Sequence, residues 1–302
     1  MKTLVVGHTT HDHYQGGFVA GGCAYYGARA HHALAGQLED TTSHLYTLVG
    51  EDFQCHQELR DLDLTLHQAG STTVFANYYP SDGPRVQLLE AIAPDLVPGD
   101  FPPIAPDLVH LAPVLGELDL LQWKEAFPEA MIAINVQGWI KTAGPLIETA
   151  AMEETQRRGI APTARSVVQK PWDISAEQLR GIHIACLSDE DLIDQGDLLD
   201  RLLQSIPIVA LTHGERGSTI YVNRTPSRVG IYPTDAVDPT GAGDVFAATF
   251  SHQIAAGLPP LQAARFATAA SSIVIEDEGA RALVDRPDLG EWNARAARIS
   301  LF

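Results

Sequence analysis

Residues 238–250 read "DPTGAGDVFAATF". Gly241 and Gly243 flank Ala242, Asp244 follows, and then Phe246, Phe250, Ile254 and Leu258 recur every four residues. That recurrence is the period of one helical face, and Gly257 and Pro259 supply its stop signal. A helix therefore opens at "GAGD". Small residues at a helix mouth leave the first backbone N–H groups bare, and those groups have no partner inside the helix. With the helix dipole behind them they form an anion trap. An acid beside such a trap competes with the anion unless the anion is in transit. A phosphoryl group moving to a hydroxyl needs its charge held and the hydroxyl proton removed, and "GAGD" offers both. The plainer reading of Asp244 is a first-turn acid that stabilises its own helix by ~0.3–1 kcal/mol. A four-residue motif alone does not choose between the two.

The surrounding chain points to an α/β fold. "TLVVG" (3–7) and "SHLYTLVG" (43–50) read as buried strands, "GGCAYYGARAHHALAGQ" (21–37) as a glycine-led helix and "EDFQCHQELRDL" (51–62) as a second helix. The rhythm breaks at "STTVFANYYP" (71–80), the turn "SDGP" (81–84) and "RVQLLEAIA" (85–93), which read as a hairpin outside the main sheet, joined by "FVAGG" (18–22). "DLVHLAP", "AMIAINVQG", "GIHIACLS" and "IPIVALTHG" restore buried strands, "STIYV" and "SRVGIYP" form a terminal antiparallel pair, and 261–275 is a second buried helix. No repeat, low-complexity tract or linker divides the chain, so 1–302 is read as one domain.

Bulk composition narrows the partners. Lys plus Arg is 20 and Asp plus Glu is 38, a net charge of −18 with His neutral. An even field of that sign repels nucleic acid and anionic membranes, and any anionic substrate needs a local trap and a metal counter-ion. The three cysteines, Cys23, Cys55 and Cys186, are far apart and odd in number, which suits a reducing compartment. The start carries no signal peptide and no run approaches a membrane span, so the expected location is the cytoplasm.

"DPTGAGDVF" resembles the C-terminal signature of the PfkB/ribokinase family of carbohydrate kinases. In order along the chain, "GGCAYYGARA" is similar to its di-glycine motif, "LVGEDFQ" to its "vGxDxxG" segment and "LTHGERGSTIY" to its "TxGxxG" nucleotide segment. The resemblance implies a ribokinase-like three-layer sandwich with a mainly parallel central sheet and a small β-strand lid, here about 12–20 and 71–93. It implies Asp244 as the base and the backbone of Gly241, Ala242 and Gly243 as the anion hole. Thr212, Gly214, Gly217, Ser188, Asp191 and Ser272 would hold ATP, with Asp191 ordering Mg²⁺ through water. Asp238 and the backbone at Gly279 would lie at a monovalent-cation site, for K⁺. Asp12, Gly21, Gly22, Tyr26, Arg85, Gln87 and Gln137 would form the pocket for a small sugar or cyclitol, Gly21 and Gly22 by close backbone approach and Tyr26 by stacking on a ring. A dimer through the lid is the expected assembly.

Two positions depart from the family pattern. Tyr26 stands where an Asn often follows the di-glycine motif, which disfavours ribose itself. The usual "NxxE" is here "SDED", with Ser188 and Asp191; its plain reading is a helix cap. "VVGHTTHD", "GGCAYYGA" and "NVQGW" resemble the myo-inositol kinase branch; a nucleoside kinase of the same family is the alternative. Two readings come from other classes. His8, His11 and His13 resemble the "HDH" of barrel amidohydrolases, but a zinc site needs three or more supported ligands and that fold leaves "DPTGAGD" unexplained. A nucleotide- or sugar-binding protein without activity would keep the pocket, but the intact acid and anion hole argue for chemistry.

Overall fold

A computed structural model describes residues 1–14, 16–36, 40–78, 86–99, 104–147, 160–285 and 288–302. Among these residues, nine strands form a central sheet in the order β15-β14-β13-β12-β9-β8-β1-β4-β5. They are β1 (Lys2–Val6), β4 (Thr42–Gly50), β5 (Asp63–Ala69), β8 (Leu108–Leu111), β9 (Met131–Asn135), β12 (Ile184–Ser188), β13 (Ile208–Thr212), β14 (Ser218–Val222) and β15 (Thr225–Val229). Every pairing from β5 to β13 is parallel, and β14 and β15 close the edge antiparallel. The chain moves outward from β1 through β4 to β5, then returns to lay β8 on the other side of β1. Such a reversal opens a crevice at the carboxyl ends of the strands, where ligands bind in open α/β sheets.

Burial on both faces makes the strands apolar throughout. In β1, Val5 packs into one hydrophobic cluster, while Leu4 and Val6, on the opposite face, pack into another. The first face is covered by α1 (Cys23–Ala35), α5 (Ala242–Ala255), α6 (Pro260–Val274) and α8 (Leu289–Ala296). The second is covered by α2 (Leu120–Ala126), α3 (Gln137–Ile140) and α4 (Leu198–Ser205). The remaining short helix, α7 (Arg281–Asp285), contributes Ala282 and Leu283 to the first core. This is the ribokinase-like three-layer arrangement that the motifs imply.

A second sheet has the order β10-β11-β7-β6-β2-β3. It contains β2 (Thr10–Tyr14), β3 (Gly17–Gly21), β6 (Val74–Tyr78), β7 (Val86–Ala91), β10 (Lys141–Leu146) and β11 (Arg165–Gln169). The last two strands pair antiparallel with each other, and β11 pairs with β7. They extend the sheet beyond the two segments read from the sequence. The hairpin tip, with Arg85, lies outside the described residues.

The helix expected over 51–62 is absent; only His56–Leu59 makes a short 3₁₀ turn. Long-range bonds hold the segment out of helix. Asp52 accepts from the backbone N–H and the hydroxyl of Thr72 at 2.8 and 2.7 Å. The Gln54 N–H donates to the His11 ring at 2.9 Å, and that ring stacks on Phe53 with centroids 4.9 Å apart. The glycine of "VGED" is required here, because a Cβ on Gly50 would lie 2.2 Å from the Asp52 carboxylate.

Candidate active site

The turn before α5 is built to a tight specification. Asp238 accepts from the N–H of Thr240 at 2.9 Å and of Gly279 at 3.1 Å, so its carboxylate ties the "DPTG" turn to the 279 loop. Gly241 caps the helix at φ 81°, in the left-handed region. A Cβ on Gly241 would lie 2.3 Å from the Tyr26 ring. Gly243 is a glycine for the opposite reason: a Cβ there would meet nothing within 4 Å, so open space lies over the first turn. Ser271 steadies this mouth from α6 by donating to the Ala242 carbonyl at 2.9 Å.

Asp244 stands half-buried in this turn. The Asn135 amide, at the carboxyl end of β9, donates to its Oδ1 at 3.1 Å. The Cys23 thiol, from the first turn of α1, hydrogen-bonds the same carboxylate; burial first and then that carboxylate push the thiol far above its ordinary pKa. Three elements thus converge on one acid. Lys141, whose charge acts on the same Cys23 thiol, donates to Gln87 at 3.1 Å. Gln137 begins α3 two residues after Asn135. Catalytic, anion-hole and part of the predicted acceptor residues therefore share one end of the sheet.

A cavity of about 910 Å³ opens beside this turn, lined by Asp12, Tyr26, Asn77, Asp238, Thr240 and Gly279 among others. Asp244 is not in its wall; Thr240 brings the cavity to the residue before "GAGD". Three acceptor-site expectations change in detail. What approaches Gly21 is the Asp12 carboxylate, 2.4 Å from where a Cβ would stand. What approaches Gly22, at φ 92°, is the His8 carbonyl at 2.7 Å. The glycine pair therefore makes room for the protein's own atoms. Tyr26 is only 3% exposed and lies against Gly241, so its ring buttresses the turn and offers no open face for stacking.

The predicted donor-site residues divide. Ser188 and Thr212 are register partners at the ends of β12 and β13. Gly214 (φ 56°) and Gly217 (φ 84°) shape the next loop, where a Cβ on Gly217 would lie 2.2 Å from the Val229 carbonyl. In "SDED", the Ser188 N–H donates to Asp191 at 2.8 Å and the Asp191 N–H to the Ser188 hydroxyl at 3.2 Å. This is the reciprocal cap that the plain reading expects, and it commits one Asp191 oxygen. Ser272 leaves the donor set: it is buried, and its hydroxyl donates to the Ala269 carbonyl at 2.7 Å and accepts from Arg295 at 3.1 Å. The loop adds a residue not foreseen. His213 joins Asp189 at 3.0 Å and Thr219 at 2.9 Å, and Arg216 pairs with the same Asp189. Burial pushes the Asp189 carboxyl up, but these two partners outweigh it and leave its pKa lowered.

The "HDH" histidines are dispersed. His8 bonds the Pro94 carbonyl at 2.9 Å, His11 stacks between Phe18 and Phe53, and His13 pairs with Glu90. Among the described residues, no group of three or more His, Cys, Asp or Glu side chains is arranged to hold a metal ion. Mg²⁺ held by phosphates, waters and one carboxylate needs no such cage; Asp191 and the space over Gly243 fit that use. Sequence reading missed Asn135, Cys23 and Lys141. The signal for Asn135 was its place as the last residue of a strand at the ligand-binding edge.

Residues 175–287 match the family model described as pfkB family carbohydrate kinase. A nucleoside kinase of Methanothermobacter thermautotrophicus is 39% identical over 84 residues, 28% of this chain and 26% of that protein. The chain spans 20% to 36% of the length of the curated relatives it matches. A pyrophosphate-dependent kinase in the ribokinase family, complexed with a pyrophosphate analog and myo-inositol, superposes with a TM-score of 0.70 at 18% identity over 91% of this chain and 95% of that one. An Arabidopsis thaliana ribokinase complexed with ribose and ATP superposes at 0.68 and 18% identity, over 97% and 98%. At these identities the superpositions establish the fold.

Proposed function

From a chain that carries a pfkB-family carbohydrate kinase segment on a ribokinase-like fold, we propose an ATP-dependent, Mg²⁺-requiring kinase that phosphorylates a hydroxyl of a small sugar, polyol or cyclitol, with a myo-inositol-like acceptor favoured. The observation that carries it is the first turn of α5, where Asp244 is gripped by Asn135 beside the open space over Gly243. Asp244 takes the acceptor proton, and the 241–243 backbone receives the transferring phosphoryl group. Mg²⁺, when bound, neutralises phosphate charge that the acidic protein would otherwise repel. Thr212, Gly214 and Gly217 hold the nucleotide, and Asp12 and Gln87 contact the acceptor. A monovalent cation is placed beside Asp238 and Gly279. The second sheet acts as the lid that excludes water, and its outer edges pair two chains into a cytoplasmic dimer. Among the described residues, no helix is long and apolar enough to cross a membrane.

Support for the cyclitol comes from the superposition on the kinase bound to myo-inositol. The nucleoside reading keeps its place because of the 39% match to a nucleoside kinase. The deciding assay measures phosphorylated product with Mg²⁺ and either ATP or pyrophosphate, across myo-inositol, other cyclitols, ribose, fructose, adenosine and cytidine. One acceptor well above background with ATP, lost in Asp244→Asn, supports the proposal and chooses the branch. Turnover with pyrophosphate alone removes ATP as donor. ATP bound with no acceptor turned over rejects the kinase in favour of a binding protein.

A further inference from the structure

Beneath Asp244 runs a line of buried side chains that the reading above does not use. Asn135 Oδ1 lies 2.8 Å from His110 Nε2, His110 Nδ1 lies 3.2 Å from His31 Nε2, and His31 Nδ1 lies 3.1 Å from His252 Nδ1. The four residues come from β9, β8, α1 and α5 and are 5%, 1%, 0% and 0% exposed. Each nitrogen of His31 serves a different neighbour, so the rings form a chain and do not converge on a point as metal ligands would.

The polarity of this chain follows from its two ends. A carboxylate only accepts, so the Asn135 amide must turn its Nδ2 to Asp244 and its Oδ1 inward. That oxygen requires a proton on His110 Nε2, which leaves His110 Nδ1 as an acceptor. His31 must then carry its proton on Nε2, and His252 on Nδ1. At the far end His252 Nε2 is buried and has no hydrogen-bond partner. In the deduced polarity it is a bare lone pair; reversed, it would be an orphaned buried N–H, the rarer and costlier defect. Both ends select the same direction. Burial also keeps the rings neutral: it drives His31 far below its ordinary pKa, His110 to about 4, and, with the N-terminal ammonium adding to it, His252 to about 4.

We propose that His252, His31 and His110 are positioning residues: a one-way hydrogen-bond chain that locks the Asn135 amide with its N–H toward Asp244 and so holds the catalytic carboxylate in its working orientation. Hydrogen bonds in a buried chain polarise one another, so the last donor is stronger than an isolated amide. An apolar core would pack this space without the desolvation of three imidazoles; a fixed direction is what the chain supplies in exchange. The proposal rests on Asp244 being the base, and its first test does not require turnover.

In protein with ¹⁵N-labelled histidine at pH 7, long-range ¹H–¹⁵N correlation should show neutral rings, with the proton on Nε2 of His31 and His110 and on Nδ1 of His252. The opposite tautomer at His31 or His110, or a cationic ring, overturns the proposal. In Asp244→Asn the His110 Nε2–H resonance should move upfield as the carboxylate's pull is removed; an unmoved resonance overturns it. Once an acceptor is known, His110→Leu should lower kcat roughly tenfold or more with both KM values within about twofold. His110→Gln, which keeps a donor for Asn135, should restore most of kcat at a similar melting temperature. A folded His110→Leu with unchanged kcat overturns the role; if that variant does not fold, the two spectroscopic results decide. If the spectra behave as described and no acceptor is ever turned over, the chain stands as a device that orients Asp244, and the kinase reading is what fails.

Discussion

Asp244 and its two neighbouring glycines make separable demands on the same turn. Asp244→Asn keeps the size and the helix position but removes the base. Turnover should fall ~10²–10⁴-fold while donor binding by calorimetry is retained; near-normal turnover sinks the assignment. Gly243→Ala adds a methyl group in open space on a helical residue. The melting temperature should hold or rise, since Ala exceeds Gly in a helix by ~0.5–1 kcal/mol. Turnover should still drop, because that methyl occupies the place proposed for the phosphoryl group. Gly241→Ala has the opposite signature: at φ 81° and 2.3 Å from Tyr26 it should destabilise by ~1–3 kcal/mol. Thermal melts of the pair beside their kcat values separate the turn's construction from its chemistry.

Between elements, the most concentrated polar contact is Arg295 of α8. It meets both oxygens of Glu276 at 2.8 and 3.0 Å, Glu291 at 2.6 Å and the Ser272 hydroxyl of α6 at 3.1 Å. Glu276 follows the end of α6, one residue past Ile275, whose carbonyl accepts from the Val237 and Asp238 N–H groups. The arginine therefore anchors the segment against which the "DPTG" turn is bonded. Arg295→Met should cost ~1–3 kcal/mol. That is less than for a fully buried pair, because Glu276 and Glu291 are 24% and 32% exposed and water screens them. Urea unfolding should show a lower midpoint at unchanged slope; an unchanged midpoint contradicts the anchoring.

For the whole molecule, the buried histidines set a pH limit. His110 and His252 have folded-state pKa values of about 4, against 6.5 in the unfolded chain. Between those values the unfolded state binds more protons, so stability rises with pH through this window. It is fully present above about 6.5 and is lost progressively as pH falls toward 4, by ~3 kcal/mol for each ring. Denaturation midpoints from pH 7.5 to 4.5 should fall steeply below pH 6.5, and His252→Leu should flatten the slope. A flat profile in the unsubstituted protein would mean that these rings are not held neutral.

How much of this was legible follows from how far apart the deciding atoms lie. The alternation of strands and helices, the helix at 242–255 and the "GAGD" mouth depend on residues within a few positions of one another, where apolar periodicity and turn chemistry act. Those the amino-acid sequence determined by itself, together with the resemblance carried by contiguous motifs. The 51–62 segment was misread because Asp52 and Gln54 take partners from Thr72 and His11, which no local period reports. Strands β10 and β11 were passed over because their partner is β7, more than fifty residues earlier. Ser272 matched a motif position, yet packing turned it to Arg295. Only the tertiary structure decided what grips Asp244. Asn135 reaches it across 109 residues, and His31 meets His110 and His252 across 79 and 221. Such contacts are set by the order of strands in the sheet and by which helices cover one face. That order emerges only when the buried faces of all the elements are satisfied together.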